Sequence, residues 1–176
     1  MRLLAAITLL AGAVAGCGGG EAPRPPGFEV GDAAPELEGA TAAGEQFHLS
    51  AGHAPRLLLF YRGGYCGLCR LRLQALQEAL PDYRALGVDV VGVSPEEPFD
   101  VAATASATGV TFPLVSVDES VVRRWGVRSG SEAAGASPVA TYLVDEAGVI
   151  IFAHQGAVAA DRASDAALLT LLQQRR

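Results

Sequence analysis

The stretch "LLLFYRGGYCGLCRLRLQ", residues 57–74, runs from a continuous apolar segment through two glycines into a segment with helical spacing. Residues 56–61 are typical of a strand that is buried on both faces. Cys66 and Cys69 follow at the point where the helix is expected to begin, in a chain that has only three cysteines. The stretch therefore predicts a strand–loop–helix unit that carries a CxxC pair at the start of its helix.

The position of the two cysteines favours one reactive and one shielded thiol. Unpaired backbone N–H groups and the positive end of the helix dipole stabilise a thiolate at the first turn, which predicts Cys66 as the nucleophile. Cys69 lies one turn deeper on the same face, where it can attack a mixed disulfide or a sulfenic acid on Cys66. Gly63 and Gly64 let the backbone bend and leave room for a substrate, and Arg62 adds positive charge nearby. The pattern indicates thiol redox chemistry.

Other interpretations of the pair have weaker support. A structural disulfide would close too small a loop to remove much chain entropy, and unreactive buried thiols would not need the glycines. A zinc site would need two further ligands, and His48 and His53 are interpreted as polar loop residues. A Cu(I)-carrying module that uses Cys66, Cys69 and His154 remains an alternative of a different class, because thiolates are soft ligands. His154 by itself is interpreted as a surface or satisfied histidine.

The N-terminal residues have the layout of an export signal. Residues 1–16 combine Arg2 with a short apolar run and small residues, as in a secretory signal peptide. "VAGC", residues 14–17, resembles the lipobox of bacterial lipoproteins, in which Cys17 would be lipidated, and residues 17–27 are typical of a flexible tether. We therefore expect an exported lipoprotein, anchored to the membrane through Cys17 on the periplasmic or extracytoplasmic side.

Composition fits one domain over residues 28–176. Hydrophobic residues make up 50% of the chain and charged residues 18%, which is typical of a compact domain. The formal net charge is −6 and every basic residue is arginine, without a basic tract, so nucleic acid is not an expected partner. If Cys17 carries lipid, Cys66 and Cys69 are the remaining thiols, and an oxidising compartment allows a disulfide between them.

The rest of the domain alternates strand and helix patterns, which predicts an α/β fold with a mixed sheet flanked by helices. Pro81 is expected to break or bend the first helix. Short extended pieces are expected within 30–37 and 45–49. The main strands are predicted at 56–61, 88–94, 112–117, 139–145 and 149–154, the last two as a hairpin; the helices are predicted at 66–86, 95–108 and 161–174, with a helical turn through Trp125.

Several segments carry a resemblance to a known family. "FYRGGYCGLC" (60–69), "LGVDVVGVSPE" (86–96) and "VATYLVDEAGVIIFAH" (139–154) resemble the alkyl hydroperoxide reductase/thiol-specific antioxidant family, and its peroxiredoxin-like branch has the motif FYRGxWCPYC. The resemblance implies a thioredoxin-like fold, with Cys66 as the peroxidatic-type cysteine and Cys69 as its resolving partner. It also implies antioxidant reduction of peroxides without a cofactor, with electrons from a dithiol donor such as a thioredoxin-like protein.

The chain also departs from the family pattern. Leu59 and Gly63 stand where peroxiredoxins generally have Pro and Thr, and Val139 stands near the position of their Arg. Tyr65 and Gly67 replace the Trp and Pro of the branch motif, and Tyr65 is expected to support the site together with the "RGG" segment before it. Because the groups that polarise a peroxide are incomplete, thiol–disulfide exchange on client proteins, with a protein disulfide as the substrate, is kept as an alternative activity.

Overall fold

The computed structural model describes residues 28–127, 139–156 and 160–175. The predicted signal peptide 1–16, the lipidation site Cys17 and the tether 17–27 lie outside the described residues. The strands are β1 (Leu37–Thr41), β2 (Gln46–Leu49), β3 (Arg56–Phe60), β4 (Asp89–Ser94), β5 (Leu114–Ser116), β6 (Ala140–Val144) and β7 (Ile150–Gln155). The helices are α1 (Gly67–Ala85), α2 (Pro98–Thr108), α3 (Glu119–Arg124) and α4 (Asp165–Gln174).

Within the described residues, the strands form one mixed sheet in the order β2-β1-β5-β4-β3-β6-β7. The three central strands β5, β4 and β3 are parallel, and the outer strands pair antiparallel. The predicted hairpin of β6 and β7 is confirmed; in its turn, the Asp145 carboxylate accepts hydrogen bonds from the N–H groups of Ala147 and Val149. The predicted α/β class with a mixed sheet flanked by helices is therefore confirmed.

The sheet divides the core into two layers, and β3 contributes to both because its successive side chains point to opposite faces. Leu57 and Leu59 pack with apolar residues of α1, α2 and α4 on one face. Leu58 and Phe60 pack on the other face with the residues around α3, including Trp125. Trp125 is fully buried and its carbonyl accepts a hydrogen bond from the Tyr142 hydroxyl at 2.9 Å, so these aromatic side chains belong to the core.

Helix α1 differs from the sequence-based expectation in two ways. It continues through Pro81, since the buried side chains of Leu80 and Tyr83 on either side hold the helix against the sheet, and this packing outweighs one missing backbone hydrogen bond. Leu68 and Leu71, which belong to the apolar pattern, are 47% and 63% exposed. The apolar stripe of α1 therefore does not coincide with its buried face near the first turn.

A buried ionic contact joins α1 to α4. Arg72 is 8% exposed, and both of its terminal nitrogens contact the Asp165 carboxylate, one of them at 2.7 Å. The Tyr83 hydroxyl donates to the same carboxylate at 2.8 Å. The contact fixes the start of α4 beside the first half of α1. No helix in the described parts of the chain is both long and apolar enough to cross a bilayer.

Strand pairing brings four chain segments to one edge of the sheet. Phe60, the last residue of β3, lies opposite Val93 of the parallel strand β4 and opposite Ala140, the first residue of β6. Ala140 in turn lies opposite Gln155 at the end of β7. Segments that follow β3 and β4, precede β6 and follow β7 therefore meet at this edge, which is where open α/β sheets commonly place their sites.

Candidate active site

Cys66 is the N-cap residue of α1. Its backbone is extended, with φ −86° and ψ 106°, and its sulfur accepts a hydrogen bond from the Cys69 N–H at 3.3 Å. A sulfur in the N-cap position satisfies one of the unpaired backbone donors of the first turn. Cys66 is half-buried, in contrast to the fully buried Cys69. The predicted placement of Cys66 at the start of the helix is confirmed.

Cys69 is fully buried in the first turn of α1. Burial raises the pKa of its thiol, and the nearby Cys66 sulfur acts in the same direction. The backbone N–H of Arg62 and the guanidinium of Arg162 act in the opposite direction but do not outweigh burial. The pair is therefore asymmetric, with one half-buried and one fully buried cysteine. Both cysteines are free thiols in the structure, so the disulfide between them stays a prediction.

Gly63 and Gly64 form a tight turn before Cys66. Gly63 has φ +142°, a conformation that favours glycine, and a Cβ at this position would contact the Glu96 carboxylate. A Cβ on Gly64 would overlap the Thr104 hydroxyl on α2. The prediction that the backbone bends here is confirmed. The prediction that the glycines leave room for a substrate is wrong, because Glu96 and Thr104 fill that space.

Glu96 braces this turn from the end of β4. One carboxylate oxygen accepts a hydrogen bond from the Gly64 N–H at 2.9 Å, and the other accepts one from the Ser94 hydroxyl at 3.3 Å. Burial raises the pKa of Glu96 above its ordinary value of 4.5, although both hydrogen bonds act to lower it. The buried hydroxyl of Tyr61 lies close enough that Glu96 adds to the rise in its pKa, which is caused mainly by burial.

The rim of the turn carries two arginines. The Arg62 guanidinium lies 5.7 Å from the centre of the Tyr65 ring, in a cation–π contact, and Arg70 donates to the Gly64 carbonyl at 3.0 Å. Tyr65 is 68% exposed, so its ring faces solvent while it contacts Arg62. The predicted supporting residues Arg62, Gly63, Gly64 and Tyr65 thus lie in one turn before Cys66, and their support for the chemistry stays a prediction.

Arg162 reaches the site from the segment before α4. Its Nη2 lies 3.7 Å from the Cys69 sulfur, a hydrogen-bonding distance for sulfur. An oxygen of the Asp161 carboxylate, one residue earlier, lies 3.0 Å from Nε2 of His154 in β7, but the two form no well-aligned hydrogen bond, so the interpretation of His154 as a surface or satisfied histidine stays a prediction. No three His, Cys, Asp or Glu side chains are grouped as metal ligands in the described ranges, so the structure does not support the copper site of Cys66, Cys69 and His154.

Sequence reasoning missed Glu96, Thr104 and Arg162. Glu96 has a weak signal, since it follows the buried strand β4 in the segment "VSPE" and so lies at the edge where the parallel strands end. Thr104 and Arg162 have no local signal. Arg162 is 93 residues from Cys69 in the chain, and only the packing of α4 against α1 brings the two together.

Comparison with known proteins agrees with this geometry. Residues 30–153 match the AhpC/TSA family. This chain belongs to the AhpC/TSA family. A Mycobacterium tuberculosis protein described as a peroxiredoxin is 31% identical over 130 residues, which cover 70% of this chain and 83% of that protein. The thiol-disulfide oxidoreductase ResA of Geobacillus thermodenitrificans is 28% identical over 123 residues, which cover 69% of this chain and 66% of ResA.

The fold of this AhpC/TSA protein is also found in solved structures. Peroxidoxin BcpB from Mycobacterium tuberculosis superposes with a TM-score of 0.72 at 21% identity, over 85% of this chain and 99% of BcpB. The likeness supports the thioredoxin-like fold that the resemblance implied. Because its relatives in the family are peroxiredoxins and thiol–disulfide oxidoreductases, the chain is a thiol-based redox enzyme.

Proposed function

We propose that the chain reduces peroxides through Cys66 and Cys69 in a two-cysteine cycle. The observation that carries the proposal is the half-buried Cys66 sulfur at the N-cap of α1, hydrogen-bonded by the Cys69 N–H above a fully buried second thiol. Peroxides accept two electrons from a thiolate, and a half-buried thiolate beside a fully buried thiol suits such a reaction.

The cycle has three steps. The Cys66 thiolate attacks one peroxide oxygen, the O–O bond breaks, and Cys66 becomes a sulfenic acid while an alcohol or water leaves after taking up a proton. Cys69 loses its proton, attacks the Cys66 sulfur and forms the disulfide, and the hydroxide that leaves becomes water. A dithiol donor, such as a thioredoxin-like protein, then reduces the disulfide and is itself oxidised.

Thiol–disulfide exchange on client proteins is the second candidate function. Peroxiredoxins generally have Thr and Pro at the positions of Gly63 and Leu59. Gly63 supplies no hydroxyl near Cys66, and Leu59 is a buried residue of β3, so both of these groups are absent here. Tyr65, Leu68 and Leu71 are apolar and exposed beside Cys66, a surface on which a protein could dock. In this reaction Cys66 would attack a client disulfide and Cys69 would release the reduced client.

A single-turnover experiment separates the two functions. In the full chain with Cys17→Ser, Cys66 and Cys69 are the only thiols. On mixing with hydrogen peroxide, we expect two thiols to be lost per chain, Cys69→Ser to trap a sulfenic acid that reacts with dimedone, and Cys66→Ser to be inert. Thiol loss no faster than that of free cysteine would contradict the peroxidase proposal. Rapid reduction of a protein disulfide by the same sample would then favour exchange.

We also propose that residues 28–176 form the redox domain of an exported lipoprotein, joined by the tether 17–27 to a lipid on Cys17. The support is the sequence pattern of residues 1–17, and two acyl chains or more are needed for stable anchoring. In bacterial cells that process lipoproteins, the wild-type chain should sediment with membranes, and Cys17→Ser should release it into the soluble fraction. Equal partition of the two proteins would contradict the anchor.

A further inference from the structure

Among the arginines at this site, Arg162 contacts the sulfur of the buried cysteine, Cys69. Arg162 Nη2 lies 3.7 Å from the sulfur of Cys69, whereas the hydrogen bond to the Cys66 sulfur comes from the backbone N–H of Cys69. Cys69 is fully buried, so its thiolate would be poorly solvated without a compensating donor. A guanidinium supplies both a full positive charge and N–H donors to such a group.

The fold holds Arg162 from both sides. The carboxylate of Asp161, one residue before it, lies 3.0 Å from Nε2 of His154 in β7. Asp165, three residues after it, is fixed by Arg72 of α1. The short segment that carries Arg162 therefore lies against β7 at one end and is bound to α1 at the other. Arg162 itself is partly buried, so its charge acts on the Cys69 sulfur with less screening by solvent than a surface arginine would have.

We propose that Arg162 is a catalytic residue that stabilises the Cys69 thiolate, both when this sulfur attacks Cys66 and when it leaves. The inference rests on the proposed two-cysteine cycle. In the resolving step, Cys69 loses its proton, its sulfur bonds to the sulfur of the Cys66 sulfenic acid, and hydroxide leaves to become water. In the reducing step, a donor thiolate attacks the Cys66 sulfur, the disulfide breaks, and Cys69 departs as a thiolate beside the guanidinium.

Among the residues that the structure describes, four groups bear on the ionisation of the Cys69 sulfur: the Cys66 sulfur, the Tyr61 hydroxyl, the backbone N–H of Arg62 and the Arg162 guanidinium. Of these, the guanidinium is the only one with a permanent positive charge. Replacing Arg162 by a neutral residue should therefore move the pH midpoint of disulfide formation upward, whereas a purely structural role would lower stability and leave that midpoint in place.

The test uses the full chain with Cys17→Ser and compares Arg162→Gln with Arg123→Gln, which removes an exposed arginine of α3. After mixing with hydrogen peroxide, we expect Arg162→Gln to lose its first thiol at the unchanged rate. It should then accumulate a sulfenic acid that dimedone traps, form the disulfide about tenfold to a hundredfold more slowly, and shift the pH midpoint upward. Arg162→Lys, which keeps the charge, should recover part of the rate.

A second arm does not depend on peroxide. The disulfide is formed with diamide and then cleaved with dithiothreitol, and Arg162→Gln should slow the cleavage about tenfold because Cys69 leaves less readily. If the wild-type chain fails with peroxide but this difference remains, the peroxidase proposal fails and the role of Arg162 stands. If Arg162→Gln does not fold, Arg162→Met keeps most of the side chain and takes its place. Rates and midpoints equal to those of Arg123→Gln would overturn the inference.

Discussion

At the scale of single residues, Glu96 determines the shape of the turn before Cys66. Its carboxylate accepts the Gly64 N–H, and burial raises the pKa of this carboxyl above 4.5. A raised pKa means that the folded state binds the proton more tightly than the unfolded state. The free energy of unfolding therefore falls as the pH rises from the pKa of Glu96 in the unfolded chain through its higher pKa in the folded protein, where the carboxyl becomes ionised.

Glu96→Gln removes this pH dependence and keeps an oxygen that can accept the Gly64 N–H. As the pH rises above 4.5, we expect the free energy of unfolding of the wild type to fall relative to that of Glu96→Gln. Glu96→Ala leaves the Gly64 N–H without its acceptor and should cost about 1–3 kcal/mol. Urea unfolding at several pH values measures both effects. A difference between wild type and Gln variant that is constant from pH 4 to 8 would contradict the account.

Gly64 has no room for a side chain. A Cβ there would overlap the Thr104 hydroxyl, so Gly64→Ala should destabilise the protein by about 1–3 kcal/mol and slow the reaction of Cys66. Gly67→Ala is the matched control, because nothing lies within 4 Å of its Cβ, and it should be neutral or slightly stabilising. Thr104→Ala should rescue part of the loss in the double variant. If both glycine variants unfold at the same urea concentration, the packing argument is wrong.

At the scale of the elements, the contact between α1 and α4 brings Arg162 to Cys69. Asp165 is 21% exposed and Arg72 is 8% exposed, so Asp165→Ala leaves a buried arginine without its partner. We expect a loss of about 2–4 kcal/mol, measured by urea unfolding. Arg123→Ala breaks an exposed pair with Glu119 and should cost less than about 0.5 kcal/mol. Similar losses in the two variants would show that the buried contact does not hold α4 in place.

The elements of the sheet could be predicted from the sequence because their patterns are local. Apolar runs mark β3 and β4, and the "VDEAGV" turn marks the hairpin of β6 and β7. Helix α1 could be predicted over 66–86 from its apolar spacing, but the break expected at Pro81 does not occur, because the packing of its buried neighbours outweighs its local preference. The exposure of Leu68 and Leu71 could not be predicted either, because it depends on which face of α1 packs against the rest of the domain.

At the scale of the whole molecule, the topology assembles the site from distant parts of the chain. The two cysteines could be predicted, because the CxxC pair and the helix start lie in one stretch. Glu96 has only a weak sequence signal at the end of β4, and Arg162 has none, because it reaches Cys69 from the distant segment before α4. Parallel pairing of β3 with β4 places Glu96 at the same edge as Cys66, and the packing of α4 on α1 adds Arg162.

The asymmetry of the two thiols is the central claim, and the rate of alkylation of each cysteine tests it most directly. The reduced full chain with Cys17→Ser is treated with iodoacetamide at neutral pH, and modified peptides are counted by mass spectrometry. The half-buried Cys66 at the N-cap should react at least about tenfold faster than the fully buried Cys69. Equal rates for the two cysteines in the folded protein would contradict the account.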